Sequence, residues 1–265
     1  MTIFQAIILA IIEGISEFLP ISSTGHMILG SAAMGIEGSD YVKMFTVAIQ
    51  FGAILSVLVL YWKKFLKSFS FYVKLLIAFI PAAVFGFLLN DFIDSLLESP
   101  MVVAVNLILG GILLLYVDKI FAKNELDTTE DQEISNMSAL KIGFYQVIAM
   151  LPGVSRSAAT IVGGLTQKLN RKNAAEFSFF LAVPTMLAAT GYKMLKYQME
   201  NGFTADDLQI LLLGNVVAFV VALFAIKALI SYLTKYGFKM FGYYRIILGL
   251  IIIALIVSGV GLNII

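Results

Sequence analysis

The chain has no cysteine, a single histidine and a single tryptophan, and only 13% of its 265 residues are charged. The missing cysteines exclude a disulfide frame, a thiolate metal site and a thiol nucleophile. Positive excess is missing too. Eighteen Lys and Arg against 17 Asp and Glu leave a net charge of +1, which gives no electrostatic case for nucleic acid as a partner. The N-terminal stretch MTIFQAIILAIIEG lacks the basic region of a cleaved signal peptide, and Glu13 interrupts its apolar run too early for a crossing. What fills the chain is apolar: 60% of residues are hydrophobic, where soluble domains hold about 45–50%. The mean hydropathy is +0.95.

The apolar runs are long and unbroken, which fits helices rather than the alternating strands of a barrel. Six of them suffice to cross a hydrocarbon core of about 30 Å. They are expected near 44–62, 71–90, 101–118, 175–193, 208–230 and 243–262. Two further apolar regions, 3–35 and 142–166, are broken in the middle by Pro, Gly, Ser and charge. Each reads as a re-entrant helical hairpin, because broken backbone at membrane depth is tolerated only where protein or a water-filled cavity covers it. The expected fold is therefore an all-α polytopic membrane protein, a single integral membrane domain over 1–265. Its order is hairpin, three spans, hairpin, three spans. Pro20 and Pro152 are 132 residues apart, and LPISST at 19–24 rhymes with LPGVSRS at 151–157. Three spans per half require an inverted-topology repeat, approximately 1–118 and 142–265, joined by a polar cytoplasmic loop at 119–141.

Loop charge fits that plan. Lys63, Lys64, Lys67, Lys74, Lys119, Lys123, Lys141, Lys168, Arg171, Lys172, Lys227, Lys235, Lys239 and Arg245 fall on one side. Lys43, Lys193 and Lys196 fall on the other, and Arg156 lies in the second hairpin. The positive-inside rule makes the first group cytoplasmic and both termini extracytoplasmic. The acids of the connector, Asp127, Glu130, Asp131 and Glu133, read as a solvated loop. Glu176 is expected to pair with Lys172 one turn away at a helix start, or to sit at the membrane interface. Asn106, Gln50 and Asn215 are expected to make interhelical hydrogen bonds.

The two breaks hold the chemistry. EGISEFLPISSTGH (Glu13 to His26) carries two acids and the histidine; LPGVSRSAAT (Leu151 to Thr160) carries an arginine and hydroxyls. An ionisable group at bilayer depth costs roughly 2.5–3.5 kcal/mol on insertion scales, so it marks a functional site by default. Glu13 and Glu17 are spaced i, i+4 and share a helix face. Paired carboxylates there suit a hard divalent cation, Mg²⁺ or Ca²⁺; otherwise one acid is protonated and the other caps a helix. Pro20 ends that helix, and Ser22, Ser23, Thr24 and Gly25 open the next, whose free N–H groups form an anion site. His26 lies one turn in. In the second break Ser155 and Ser157 flank Arg156, and Thr160 follows one turn later. A guanidinium fork with hydroxyl donors suits phosphate. A structural Arg–Glu pair would explain the charge but not the hydroxyls. Together these groups describe phosphoryl transfer on a lipid phosphate or diphosphate.

These motifs resemble the E-x-x-x-E and SSTGH signature and the P-G-x-S-R-S-x-x-T signature of undecaprenyl-diphosphate phosphatases, the bacitracin-resistance protein family. EFSFFLAVP at 176–184 and YYRIILG at 243–249 resemble the family as well, so the likeness covers essentially the whole chain. It implies hydrolysis of undecaprenyl diphosphate to undecaprenyl phosphate and phosphate, which recycles the lipid carrier for peptidoglycan and confers bacitracin resistance. It further implies a divalent cation and an enzyme of the bacterial inner membrane, open to the extracytoplasmic side. By motif position Glu13 and Glu17 would serve metal binding or acid–base work. Ser23 or His26 would be the nucleophile or its partner, with Ser23 preferred. Arg156 would clamp the diphosphate, helped by Ser22, Ser155, Ser157 and Thr160. A transporter or flippase of a polyprenyl phosphate is the rival reading, because broken helices in inverted repeats are also a transporter plan. Phosphatidic-acid-type phosphatases use two histidines, and this chain has one. The Gly110-Gly111 pair permits close helix contact, and with it a homodimer.

Overall fold

The computed structural model describes residues 1–262 except 37, 67 and 98, and it leaves the side chains of 90, 91, 94 and 97 undescribed. Lys67, counted above among the basic loop residues, is therefore outside the described residues. The first half runs α1 (Ile3–Ser16), α2 (Ser23–Ala33), α3 (Asp40–Ala48), α4 (Gln50–Leu60), α5 (Trp62–Phe65), α6 (Phe69–Leu88), α7 (Asn90–Leu97) and α8 (Pro100–Ile120). The second runs α9 (Asn136–Ile148), α10 (Arg156–Thr166), α11 (Arg171–Glu200), α12 (Ala205–Tyr236) and α13 (Lys239–Val257). There are no strands among the described residues.

Local chemistry explains the boundaries. Thr2 and Gln5 form a capping box on α1, and Thr204 with Asp207 form one on α12. Ser68, Ser135 and Asn170 cap α6, α9 and α11, and Pro100 opens α8 at a position where its missing N–H costs nothing. Pro81 and Pro184 lie inside α6 and α11, as membrane helices allow.

Six helices are long and apolar enough to cross a membrane: Asp40–Leu60 (α3 and α4 joined at Ile49), α6, α8, α11, α12 and α13. They match the six expected runs, with ends that differ by a few residues. The chain is a multi-pass helical membrane protein. In α6, α8, α12 and α13 no more than 33% of the apolar window is buried inside the molecule. The rest, including Phe69, Phe87, Leu212 and Phe224, is an exposed apolar surface for lipid. α1 has 14 residues and α2 and α10 have 11, so none exceeds about 21 Å, short of a full crossing.

α1 packs on α12 of the other half, as α9 packs on α6, and α8 and α13 pack on each other. Gly110 and Gly111 belong to this last contact, against Arg245 and Gly242. The glycine pair is thus used within the chain.

One loop expectation is corrected. Glu176 is buried and pairs with Lys64, 112 residues away, rather than with Lys172; Lys64 also meets Asp131 at 2.7 Å. The connector acids Asp127, Glu130, Asp131 and Glu133 are exposed, as a solvated loop requires, while other connector side chains dock it. Asn124 donates to the Leu165 and Leu169 carbonyls at 2.7 and 3.0 Å, and Gln132 accepts from the Asn170 amide at 2.8 Å. Arg171 reaches Asp118 at 2.9 Å on the same end of the molecule. Asn215 does bond across helices, its Oδ1 accepting from the Gly52 amide at 2.7 Å. Asn106 donates to the Pro152 carbonyl at 2.8 Å, a helix-to-break contact.

Candidate active site

Both breaks turn through the same uncommon backbone conformation. Ser22 has φ 67 and ψ 102, and Ser155, 133 positions on, has φ 74 and ψ 114. Neither is glycine, and such torsions cost about 1–3 kcal/mol each unless the surroundings enforce them. Each serine immediately precedes a helix, α2 or α10, and both helix starts border one cavity of about 220 Å³. Gln50, at the middle of the first span, and Thr185 and Met186, at the middle of α11, line it too. The cavity therefore sits at mid-depth of the spans, with two positive helix ends directed at it.

Glu17 lies on the cavity wall, just beyond the last residue of α1. One carboxylate oxygen accepts from the Ser23 hydroxyl at 2.7 Å, and the other accepts from an Arg156 terminal nitrogen at 2.9 Å. The three residues come from both breaks and form one chain, Ser23–Glu17–Arg156. Arg156 also donates to the Ser178 carbonyl at 3.1 Å, and its guanidinium lies 5.6 Å over the Phe18 ring. Its Nε is buried without a partner, a donor left over for a ligand. Glu13 lies behind Glu17, 1% exposed; its Oε1 has no hydrogen-bond partner, and it interacts electrostatically with Glu17 and Arg156.

The remaining residues expected at the site divide into two groups. Ser22, Ser23, Thr24, Ser155 and Arg156 line the cavity with Glu17. Ser157, Thr160, Gly25 and His26 do not. The Ser157 hydroxyl donates to the Phe18 carbonyl at 2.6 Å and so ties one break to the other. The Thr160 hydroxyl is fully buried, donating to the Arg156 carbonyl at 2.8 Å and meeting the Ser178 hydroxyl at 2.6 Å. Gly25 faces away, where a Cβ would come within 3.0 Å of the Leu107 side chain. His26 is engaged at both nitrogens, Nδ1 with the Ser22 carbonyl at 2.8 Å and Nε2 with the Tyr244 hydroxyl at 2.6 Å. Gln50, expected to bond across helices, instead lines the cavity.

Arg245 is the residue whose place sequence reasoning missed. Counted with the cations of the cytoplasmic side, it is in fact fully buried in α13. It donates to five carbonyls: Leu107 at 3.3 Å, Pro20 at 3.2 Å, Val154 at 2.8 Å, Asn106 at 3.1 Å and Gly153 at 2.9 Å. One guanidinium thus holds both breaks against α8. The available signal was its position six residues inside the last apolar helix.

A match to the family model "Bacitracin resistance protein BacA" extends over residues 6–251. The chain belongs to this family. Among its relatives, the undecaprenyl-diphosphatase of Flavobacterium johnsoniae is 60% identical over 255 residues, 96% of each chain. That of Bdellovibrio bacteriovorus is 54% identical over 259 residues, 98% of each chain. That of Aquifex aeolicus is 45% identical, covering 95% of this chain and 97% of its own. The family match encloses both breaks and Arg245, so the Ser23–Glu17–Arg156 chain and the residues that position it all fall inside it.

A divalent cation is a matter of donor chemistry. Among the described residues no group of three or more His, Cys, Asp or Glu is arranged to hold a metal. The two carboxylates with the orphaned Glu13 Oε1 fit a Mg²⁺-like ion only when phosphate oxygens and waters complete its shell. A protein-only cage would not fit.

Proposed function

We propose that this chain hydrolyses undecaprenyl diphosphate to undecaprenyl phosphate and inorganic phosphate in the inner membrane of a bacterium, returning the lipid carrier to envelope synthesis. The observation that carries the reading is the Glu17 carboxylate shared between the Ser23 hydroxyl at 2.7 Å and Arg156 at 2.9 Å on a cavity wall. The names of the relatives point the same way. A pure lipid flippase would need no hydroxyl held on a carboxylate.

In this reading the terminal phosphate lies at the starts of α2 and α10, with the Arg156 guanidinium against its oxygens. The Ser23 oxygen attacks the terminal phosphorus. As the new O–P bond forms, the bridging P–O bond breaks and undecaprenyl phosphate leaves. The Ser23 proton passes to Glu17, which lies within hydrogen-bonding reach. Glu17 passes that proton to the departing undecaprenyl phosphate; water then attacks the phosphoserine, Glu17 takes the water's proton and returns it to the Ser23 oxygen as the Ser–O–P bond breaks, and phosphate is released. A divalent cation, held by Glu17 and Glu13 together with phosphate oxygens, would supply charge neutralisation when bound. His26 is a positioning residue for the Ser22 carbonyl, since both of its ring nitrogens are engaged. The two halves are read as inverted in the bilayer, with the cavity reached from the extracytoplasmic side.

The test is chemical. Rapid quenching with labelled undecaprenyl diphosphate should trap an acid-stable phosphate on Ser23 that vanishes in Ser23→Ala. An acid-labile phosphate on His26 would overturn the assignment. Failure of purified protein with Mg²⁺ to release phosphate at all would overturn the phosphatase reading.

A further inference from the structure

The polar cavity continues sideways. A second cavity of about 620 Å³ lies between α6 and α11, with walls from Phe79, Ala82, Gly86, Phe87, Ala188 and Tyr192. Thr185 and Ala189 line both cavities. Met150 links them as well: it lines the polar cavity, and a Cβ on Gly86 would come within 3.3 Å of its Cε. The threshold is marked by Thr185, whose hydroxyl donates to the Leu181 carbonyl at 2.8 Å and to Gln146 at 3.2 Å. Beyond it the walls carry no charge. The outer end opens on the lipid-facing surface, where Phe87 is 86% exposed.

The corresponding helix pair in the other half, α4 with α12, is closed. Gly52 approaches α12 so tightly that a Cβ would lie 2.1 Å from the Asn215 carbonyl oxygen. The Gly52 amide is also bonded to the Asn215 side chain. Two like helix pairs thus differ: one is sealed, and the one beside the polar cavity stands open. Close packing is the default for helix pairs in a membrane, so an open pair next to a site has a reason.

We propose that the groove between α6 and α11 holds the phosphate-proximal isoprene units of the substrate, with its diphosphate in the polar cavity beyond Thr185. Gly86 and Ala188 then determine the preference for a prenylated over an unprenylated diphosphate. The proposal rests on the phosphatase reading above. The chemistry matches at each end: a charged head among helix starts and an arginine, an apolar chain among alanines and aromatic rings, and an exit for the rest of the chain into lipid.

Two measurements test it. Gly86→Leu places a side chain against the flexible end of Met150, so the helix tolerates it while the groove is filled. Its kcat/KM on undecaprenyl diphosphate should fall roughly tenfold or more, while hydrolysis of inorganic diphosphate, which has no chain, stays within about threefold. Equal changes on both substrates, or none on either, would overturn the proposal; a wild-type protein that hydrolyses neither would overturn the phosphatase reading instead. Independently, Ala188→Cys introduces the sole thiol of a cysteine-free chain. Maleimide labelling there should be slowed by undecaprenyl phosphate, and not by inorganic phosphate or by phosphatidylglycerol at the same concentration. Equal protection by phosphatidylglycerol would make the groove a general lipid contact and would refute the assignment, as would no protection by undecaprenyl phosphate.

Discussion

Arg245→Met removes a side chain that donates to both breaks and to α8, while keeping an unbranched apolar stem of similar length. Of the five carbonyls it serves, those of Asn106 and Leu107 lie within α8 and retain helical partners. Those of Pro20, Gly153 and Val154 lie outside helices and depend on the guanidinium. A buried carbonyl left without a donor costs about 1–3 kcal/mol. Three of them give at least about 3 kcal/mol, taken at the low end because water from the neighbouring cavity can reach some. For a chain of this size that corresponds to a fall in the thermal midpoint of about 6–12 °C. Activity should fall further than stability, because the breaks carry Glu17, Ser23 and Arg156, and small displacements of reacting groups cost about 10²-fold. The assay is thermal unfolding of the detergent-solubilised protein alongside phosphate release below the midpoint. Arg245→Lys should recover part of the midpoint and little of the rate, since three donors cannot reach five carbonyls. An Arg245→Met protein with wild-type midpoint and rate would refute the reasoning.

Glu17→Gln should leave the fold intact and lower the rate by about 10²–10⁴-fold, the usual contribution of a general base, with no phosphoserine trapped; retained activity would remove Glu17 from the chemistry. Lys43→Ala, at a half-buried position away from the cavity, should stay within about 0.5 kcal/mol in stability and leave kcat/KM unchanged, and a strong loss there would mean that substrate enters elsewhere. Burial pulls the Lys64 ammonium down, but its hydrogen bonds and charge interactions with Asp131 and Glu176 outweigh this and hold it above the ordinary lysine range. A raised folded value stabilises fully at neutral pH and is lost as pH rises through it. The midpoint difference between wild type and Lys64→Met should therefore shrink under strongly alkaline conditions, and a difference constant across that window would refute the pairing.

What could be read from the sequence was whatever depends on local pattern. Six apolar runs gave six helices because crossing length is a property of contiguous residues. The breaks were visible because Pro20 and Pro152 stand beside serines and charges inside apolar text. Pairings across the chain were not visible. Glu176 has Lys172 at helical spacing, but its partner Lys64 arrives from another helix end 112 residues earlier, and no local rule ranks the two. His26 and Tyr244 are 218 residues apart. Arg245 was counted on the cytoplasmic side although it falls inside the expected span 243–262, because sorting charge by side says nothing of burial, and the five carbonyls it serves are set by tertiary packing alone. Ser157 and Thr160 look like phosphate ligands beside Arg156, yet helical geometry turns the Thr160 hydroxyl to the Arg156 carbonyl, and packing of the two breaks turns the Ser157 hydroxyl to the Phe18 carbonyl.

The two breaks also explain why this site needs two arginines in different roles. A turn at membrane depth exposes carbonyls as well as amides, and carbonyls repel phosphate. Here the two are separated. The Pro20, Gly153 and Val154 carbonyls turn towards Arg245, and the Ser22 carbonyl turns towards His26. The strained torsions of Ser22 and Ser155 make that reversal within one residue, so the starts of α2 and α10 face the cavity instead. Arg245 is consumed by backbone and has no donor to offer a ligand. Arg156 keeps an unpartnered Nε and one link to Glu17, so it is the cation that can answer a diphosphate. Exchanging the roles is not open to this fold: a phosphate drawn towards Arg245 would meet the carbonyls that Arg245 exists to hold.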